Sequence, residues 1–156
     1  MNIKPIKLKS LILFVGGTLL VGGIGALLGG NTEKYANMVK PPLAPSPAVF
    51  PVVWGILYML IGVGAYIIAN EKGKFSETAL KFYWAQLLCN MLWPLIFWRF
   101  EALTFAAIWI GIIILLTGFL IYFAYKVCKT VLYFFAPYLL WLLFALYLNI
   151  GFAVLN

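Results

Sequence analysis

The 156-residue sequence contains no His and no Asp, and it has only two Cys. Without His and Asp the chain cannot form a Ser-His-Asp triad, a His-ligated haem or a His proton relay. Cys89 and Cys128 lie inside or beside apolar runs, and two thiols are too few for a disulfide framework or a Cys-based zinc site. We therefore expect no metal site and no resident cofactor.

Charged residues are also scarce, at 10% of the chain, whereas 65% of the residues are apolar. This balance excludes an ordinary soluble domain. The long apolar runs show no period-2 alternation, which argues against barrel strands, and each is long enough to cross a bilayer core of about 30 Å as a helix. The sequence predicts an all-α integral membrane protein with a single domain (1–156) of five transmembrane helices, at about residues 8–29, 47–69, 78–99, 102–125 and 131–155.

The basic residues lie singly between the apolar runs, a pattern typical of charges that orient a membrane protein and not of a nucleic-acid partner. Three of them lie on one set of alternate connections, namely Lys34, Lys40 and Arg99. The other set carries eight: Lys4, Lys7, Lys9, Lys72, Lys74, Lys81, Lys126 and Lys129. Because Lys and Arg concentrate on the cytoplasmic side, we expect a cell-membrane protein with its N-terminus in the cytoplasm and its C-terminus outside. The first run could also be a signal peptide, but its length disfavours that alternative.

The connection at 31–46 is unusually long and rich in proline, with Pro41, Pro42 and Pro45. Because proline fixes φ and extends the backbone, this segment is either a stiff lid over the helices or a rigid spacer. Ser46 and Pro47 are expected to cap and begin the second span. Proline also predicts kinks at three positions in or near the spans, which are Pro51, Pro94 and Pro137.

Each of three spans carries a stripe of rings, amides and small residues at helical spacing. A flat aromatic ligand can stack on the rings of such a stripe, approach closely at its small residue and hydrogen-bond to its neutral polar side chain. On spacing alone they are more typical of helix packing or of an interfacial Trp and Tyr belt. We assign Trp84, Trp98, Trp109 and Tyr133 to that belt or to the lipid-facing surface. The stripes are Trp54, Tyr58 and Gly62; Gln86, Asn90, Trp93 and Phe97; and Tyr138, Trp141, Ala145 and Leu148 or Asn149.

Two further features limit the functions that the spans can support. All four Glu lie in loops or at helix ends, so no carboxylate is placed where a proton-driven transporter needs one. Gly25 and Gly29 form a GxxxG pair, which is either a dimer contact or a close approach within one chain.

Three segments resemble the translocator protein family, also called tryptophan-rich sensory proteins or peripheral benzodiazepine receptors. Residues 35–58 resemble the first loop and second helix of that family. Asn90 to Trp93, followed by Phe97, is similar to its third helix, and residues 137–149 are similar to its fifth. The tyrosine and basic residue of the cholesterol motif of animal members do not follow Leu148 and Asn149, so we do not expect sterol binding through that motif.

The resemblance implies a five-helix bundle, usually a homodimer, that binds tetrapyrroles such as protoporphyrin IX and isoquinoline or benzodiazepine-type drugs. It implies that Tyr35 and Pro45 close the pocket, and that Trp54, Asn90, Trp93, Trp141 and Ala145 line it. The stripes add Tyr58, Phe97 and Leu148 to the expected ligand-binding residues.

Some bacterial members of the family promote light- and oxygen-dependent breakdown of protoporphyrin, which gives Trp54 and Trp141 a catalytic role by resemblance. Because the chain lacks axial iron ligands, a metal-free porphyrin held by stacking is the expected guest, with Lys34 or Lys40 near its carboxylates. The alternatives are a transmembrane carrier or a stress sensor for tetrapyrroles without turnover, and a structural subunit with no ligand.

Overall fold

The computed structural model describes residues 6–30, 34–71 and 73–156, and the regular structure in those residues is helical. Lys4, Glu33 and Lys72, together with the start of the proline-rich segment (31–33), lie outside the described residues. The charge argument for orientation rests on the sequence alone at these positions.

In the described residues, six α-helices, one π-turn and one 3-10 turn follow one another. A π-turn (Leu95–Arg99) extends the fourth helix, and a 3-10 turn (Lys129–Val131) precedes the sixth. Five of the α-helices are long, and their ends lie within about two residues of the apolar runs once the π-turn is included. The helices are α1 (Leu8–Gly29), α2 (Lys34–Asn37), α3 (Val49–Glu71), α4 (Ser76–Pro94), α5 (Leu103–Val127) and α6 (Leu132–Leu155).

Four helices in the described part of the chain are long and apolar enough to cross a membrane, namely Leu8–Gly29, Val49–Glu71, Leu103–Val127 and Lys129–Leu155. The shorter α4 is less apolar, because it carries Glu77, Lys81, Gln86 and Asn90 among its 19 residues. Length and composition therefore support four spans outright, and the fifth crossing depends on where α4 runs in the bundle.

The long helices close into a ring in the spatial order α1, α3, α6, α5, α4. Helix α1 packs against α3 and α4, helix α5 packs against α4 and α6, and the contact between α3 and α6 completes the ring. The backbone N–H of Lys7 donates to the Tyr66 hydroxyl (3.0 Å), while Lys34 forms an ion pair with Glu101. These two contacts lie at opposite ends of the bundle, so α4 and its π-turn run from one end to the other.

The prolines act differently from the expected kinks. Helix α3 begins at Val49 and not at Pro47, because a turn in which the Val49 N–H donates to the Ser46 carbonyl (3.0 Å) precedes it. Pro51 then lies in the first turn of α3, where a missing N–H removes no intrahelical bond. Pro94 ends α4, and the Phe100 N–H reaches back to the Leu95 carbonyl (3.0 Å) in the π-turn.

Gly25 and Gly29 bring α1 close to α4. A Cβ on Gly25 would lie 2.9 Å from the carbonyl oxygen of Met91, and one on Gly29 would lie 2.8 Å from Cβ of Pro94. Of the two interpretations of this GxxxG pair, the structure supports close packing within one chain.

Candidate functional site

A void lies between α1, α3 and α4, next to α2. It measures about 300 Å³, which is at the small end of the range for ligand pockets. Six of its twelve described lining residues are aromatic, and none of the twelve is charged. The lining residues are Gly22, Ala26, Tyr35, Pro47, Phe50, Pro51, Trp54, Tyr58, Asn90, Trp93, Pro94 and Trp98.

A second void of about 20 Å³ lies beside the first, towards α6. The two share Tyr35, Phe50, Trp54, Trp93 and Trp98, so only side chains separate them. Its remaining lining residues are Phe97, Trp141, Ala145, Leu148, Asn149 and Phe152. Rotation of the shared rings would join both voids into one larger cavity.

Trp54 lies at the centre of the aromatic contacts. Its ring stacks on Tyr58, with centroids 5.5 Å apart, and meets Trp141 edge to face, with centroids 6.4 Å apart at 89°. Across the cavity Trp93 stacks on Phe97, with centroids 5.0 Å apart. Rings held by one another in this way present both faces and edges to a planar guest.

Asn90 joins the cavity to a chain of buried hydrogen bonds. Its Oδ1 accepts from the Tyr58 hydroxyl (3.0 Å), and its Nδ2 donates to the Tyr138 hydroxyl (2.7 Å). The Tyr138 hydroxyl in turn donates to Oε1 of Gln86 (2.6 Å). The chain connects α3, α4 and α6 and ends on a side chain that is fully buried.

Three buried polar atoms have no hydrogen-bond partner among the described residues: Gln86 Nε2, Thr117 Oγ1 and Trp141 Nε1. The first two lie away from both voids, whereas Trp141 lines the smaller one. Another indole facing this void is satisfied, because Nε1 of Trp93 donates to Oδ1 of Asn149 (3.2 Å). An unpaired buried donor costs about 1–3 kcal/mol, so Trp141 favours a ligand with an acceptor.

The segment from α2 to Pro45 covers the site. The Tyr35 side chain is almost fully buried, and its hydroxyl donates to the Pro45 carbonyl (2.6 Å). Burial raises the pKa of this phenol, which therefore remains the neutral donor. The Lys40 ammonium lies 5.0 Å from the centroid of the Tyr35 ring. Lys34 is paired with Glu101, so Lys40 is the better placed of the two for a ligand carboxylate.

The covering segment is also attached to α6. The side chain of Asn156 accepts from the backbone N–H of Val39 (2.9 Å) and donates to its carbonyl (3.0 Å). The Tyr147 hydroxyl donates to the Pro42 carbonyl (2.8 Å). These contacts make the segment a cover and not merely a spacer.

Most of the residues expected to bind a ligand face one of the two voids. Pro45 is the exception, since it reaches the site only through its carbonyl and the Tyr35 hydroxyl. Of the two expected catalytic indoles, Trp54 lines both voids and Trp141 lines the smaller one. The residues that line a void are Tyr35, Trp54, Tyr58, Asn90, Trp93, Phe97, Trp141, Ala145 and Leu148. Whether they bind a ligand stays a prediction.

One Trp residue, Trp98, lies elsewhere than the sequence predicts. Trp98 is not on the lipid-facing surface but lines both voids and packs edge to face on Tyr35, with centroids 6.0 Å apart. The π-turn explains this, because its wider turn rotates Trp98 towards the face that bears Asn90. Trp109 is half-buried, and its Nε1 donates to the Cys89 carbonyl (2.8 Å). Trp84 and Tyr133 are exposed, as expected.

Gly22 and Ala26 are site residues that the stripes do not reveal. They form the α1 wall of the larger void, and a Cβ on Gly22 would overlap the Tyr58 ring. Their spacing of four residues places both on one helix face, which is the signal that could have identified them.

The side chains are unsuited to a metal ion. No group of three His, Cys, Asp or Glu side chains that could hold one exists in the described part of the chain. Stacking and neutral hydrogen bonds are the interactions that this site can offer a ligand.

Comparison with known proteins gives one consistent result. The sequence model of the TspO/MBR family matches residues 12–155. The chain is 34% identical over 148 residues to "Translocator protein" of Bos taurus, an alignment that covers 86% of this chain and 85% of that protein.

Archaeal and bacterial relatives are equally similar. The chain is 34% identical to "Tryptophan-rich protein TspO" of Archaeoglobus fulgidus, with 100% of this chain and 99% of that protein covered. It is also 34% identical to "Tryptophan-rich sensory protein" of Cereibacter sphaeroides, with 80% and 77% covered.

Proposed function

Because the chain belongs to the TspO/MBR family, we propose that this multi-pass membrane protein binds tetrapyrroles and isoquinoline or benzodiazepine-type compounds in the cavity beneath α2. One observation carries the proposal: three indoles, Trp54, Trp93 and Trp98, surround a void of about 300 Å³ whose described lining residues are all uncharged. Such a void selects planar aromatic molecules, because stacking is the main attraction available in it.

The polar groups fit the edge of such a molecule. Tyr58 and Asn90 lie in the wall of the larger void, and the unpaired Nε1 of Trp141 lies at the smaller one. A bicyclic or tricyclic compound fits the larger void as it stands. A tetrapyrrole is larger, so its binding requires the rings of Trp54 and Trp93, which both voids share, to rotate and widen the cavity. Lys40 lies beside the cover and is available to a propionate.

We further propose that the bound pigment is degraded by light and oxygen, and that Trp54 and Trp141 direct this reaction. The pigment absorbs the light and dioxygen is the oxidant. An indole in contact with the pigment can donate an electron to its excited state or react with excited oxygen. The edge contact between these two indoles supports a shared role, and the chemistry needs no acid, base or metal from the protein.

Binding is tested first, by quenching of Trp fluorescence with protoporphyrin IX in lipid nanodiscs. We expect saturable quenching, and affinity about tenfold weaker in Asn90→Leu and Trp141→Phe, since each loses a hydrogen-bonding group and part of the aromatic wall. Trp84→Phe is the matched control, because Trp84 is exposed on the outside of the bundle. Quenching that is equally strong in all variants would contradict the proposed site.

Degradation is tested by illuminating the complex under air and following pigment absorbance. Trp54→Phe and Trp141→Phe should slow pigment loss or change its product at matched occupancy. Pigment loss and products identical to those of the unaltered protein in both variants would remove the indoles from the mechanism.

A second candidate function comes from the relatives' names, "Translocator protein" and "Tryptophan-rich sensory protein". The same cavity would serve a carrier or a sensor without turnover. A carrier should move protoporphyrin IX across proteoliposomes in the dark. A sensor should show ligand-dependent association with another protein that survives replacement of both Trp54 and Trp141.

The proposal includes five crossings, a cytoplasmic N-terminus and a homodimer. The end-to-end course of α4 and its π-turn, between the contacts of Lys7 and of Lys34, supports a fifth crossing. Single Cys residues placed beside Lys74 and Glu101, tested with a membrane-impermeant thiol reagent in Cys-free protein, should label from opposite sides. Cross-linking in membranes tests the dimer.

A further inference from the structure

The chain of hydrogen bonds behind the cavity has no fixed direction. It runs from Tyr58 through Asn90 and Tyr138 to Gln86. An amide presents an oxygen acceptor and a nitrogen donor of nearly equal size, and a phenol hydroxyl can donate or accept. Rotating both amides by half a turn therefore reverses every bond without moving the backbone.

The deep end of the chain does not oppose this reversal. Nε2 of Gln86 is buried without a partner, so no contact holds the amide in one orientation. After reversal Nε2 donates to Tyr138, and Oε1 becomes the unpaired atom instead. Both directions contain three hydrogen bonds and one unsatisfied amide atom. The reverse direction also leaves the Tyr58 O–H unpaired, so a ligand acceptor that pairs it would favour that direction.

The two directions differ at the cavity. In the direction that the structure shows, the Tyr58 hydroxyl donates to Asn90, and only its oxygen lone pairs face a ligand. In the reverse direction Asn90 donates to Tyr58, whose O–H is then free to donate into the cavity. Tyr58 lines that cavity together with Asn90.

We infer that Gln86 and Tyr138 form a reversible relay that lets the cavity accept planar ligands with either a donor or an acceptor at their edge. They are positioning residues, since neither lines the cavity and both act through Asn90 and Tyr58. This inference rests on the proposed binding function and extends it to the chemical class of the ligand. A single site thus serves a pyrrole N–H and an aromatic ring nitrogen.

Gln86→Leu provides the test, because it removes the acceptor at the end of the relay. The Asn90 amide oxygen is then the strongest acceptor left to Tyr138, and when Tyr138 donates to it, Asn90 donates to Tyr58 and Tyr58 donates into the cavity. The probes are three tricyclic molecules of similar shape: carbazole, which carries an N–H donor; acridine, which carries a ring-nitrogen acceptor; and anthracene, which has neither. Affinities are measured by Trp quenching in nanodiscs at mildly alkaline pH, where acridine is neutral.

We expect the unaltered protein to bind both polar probes more tightly than anthracene. In Gln86→Leu the affinity for acridine should rise or stay the same, and the affinity for carbazole should fall about fivefold. A change of this size is in the range expected for the loss of one neutral hydrogen bond. If Gln86 had only a structural role, Gln86→Leu would weaken the binding of all three probes alike. Thr18→Val is the matched control, since it removes another buried polar group whose partners, Phe14 and Tyr83, lie outside the relay, and the ratio of the probes should not change.

Tyr58→Phe gives an independent measurement if Gln86→Leu does not fold. It should abolish the preference for both polar probes over anthracene. The relay would be overturned by an unchanged ratio of acridine affinity to carbazole affinity in Gln86→Leu, or by a preference for the polar probes over anthracene that is retained in Tyr58→Phe. In either case, retained anthracene binding would show that the cavity itself is intact. Absence of saturable binding by any probe would overturn the proposed binding function, and the relay with it.

Discussion

Single residues decide how much room the cavity has, and Gly22 is the clearest case. The Tyr58 ring occupies the position where a Cβ on Gly22 would lie. That ring is held in place by its stack on Trp54 and its hydrogen bond to Asn90. The absence of one side chain on α1 therefore sets the position of the phenol that faces the ligand.

Gly22→Ala should weaken the binding of protoporphyrin IX about tenfold, because the added methyl group displaces Tyr58 and breaks its hydrogen bond to Asn90. Trp quenching in nanodiscs measures this change. Gly23→Ala is the control, since no atom lies within 4 Å of its added Cβ, and its affinity should be unchanged. Equal affinity in Gly22→Ala and Gly23→Ala would show that Tyr58 does not need this space.

At the scale of helices, the contact between α1 and α4 depends on backbone approaching backbone. Gly25 faces the carbonyl of Met91, and Gly29 faces Pro94. Immediately beyond, the π-turn redirects Trp98 into the site. The position of α1 along α4 thus determines the width of the cavity between them.

Gly25→Ala should lower the free energy of unfolding by about 1–2 kcal/mol, because overpacking against a backbone costs more than the gain of about 1 kcal/mol in helix propensity. Thermal unfolding in one detergent measures the effect. Gly17→Ala, which has open space around its Cβ, should be neutral or stabilising. A change of oligomeric state in Gly25→Ala without a change in monomer stability would instead indicate a contact between chains.

For the whole molecule, the important feature is that the cover is attached at several points far apart in the sequence. Asn156 holds the backbone of Val39, Tyr147 holds Pro42, and Lys34 is paired with Glu101. The ion pair is exposed and contributes little. The hydrogen bonds from α6 are therefore the main restraint on the cover.

Asn156→Ala should increase the dissociation rate of protoporphyrin IX about fivefold, because it removes both hydrogen bonds to Val39. Stopped-flow fluorescence measures the rate, and limited trypsin cleavage after Lys34 should also become faster. Asn70→Ala is the control, as Asn70 binds only the Tyr66 carbonyl at the other end of α3. Unchanged dissociation and cleavage in Asn156→Ala would show that the cover is held elsewhere.

Composition and spacing determine the helices and much of the site, because both depend on local rules. Apolar runs form helices in a membrane since every backbone group must be satisfied within the segment. Residues four apart, such as Trp54 and Tyr58, share a helix face for purely geometric reasons. The family resemblance added Tyr35. No periodicity predicts that this side chain of the cover is buried.

Only the tertiary structure decided which atoms meet across helices. The π-turn after Pro94 breaks the helical period, so spacing alone misplaced Trp98. Spacing could show that Gln86 and Asn90 share a face, but not that Tyr138 joins them or that Nε2 of Gln86 stays unpaired. These features depend on distances between separate helices, which result from the packing of the whole bundle and are encoded in no single segment.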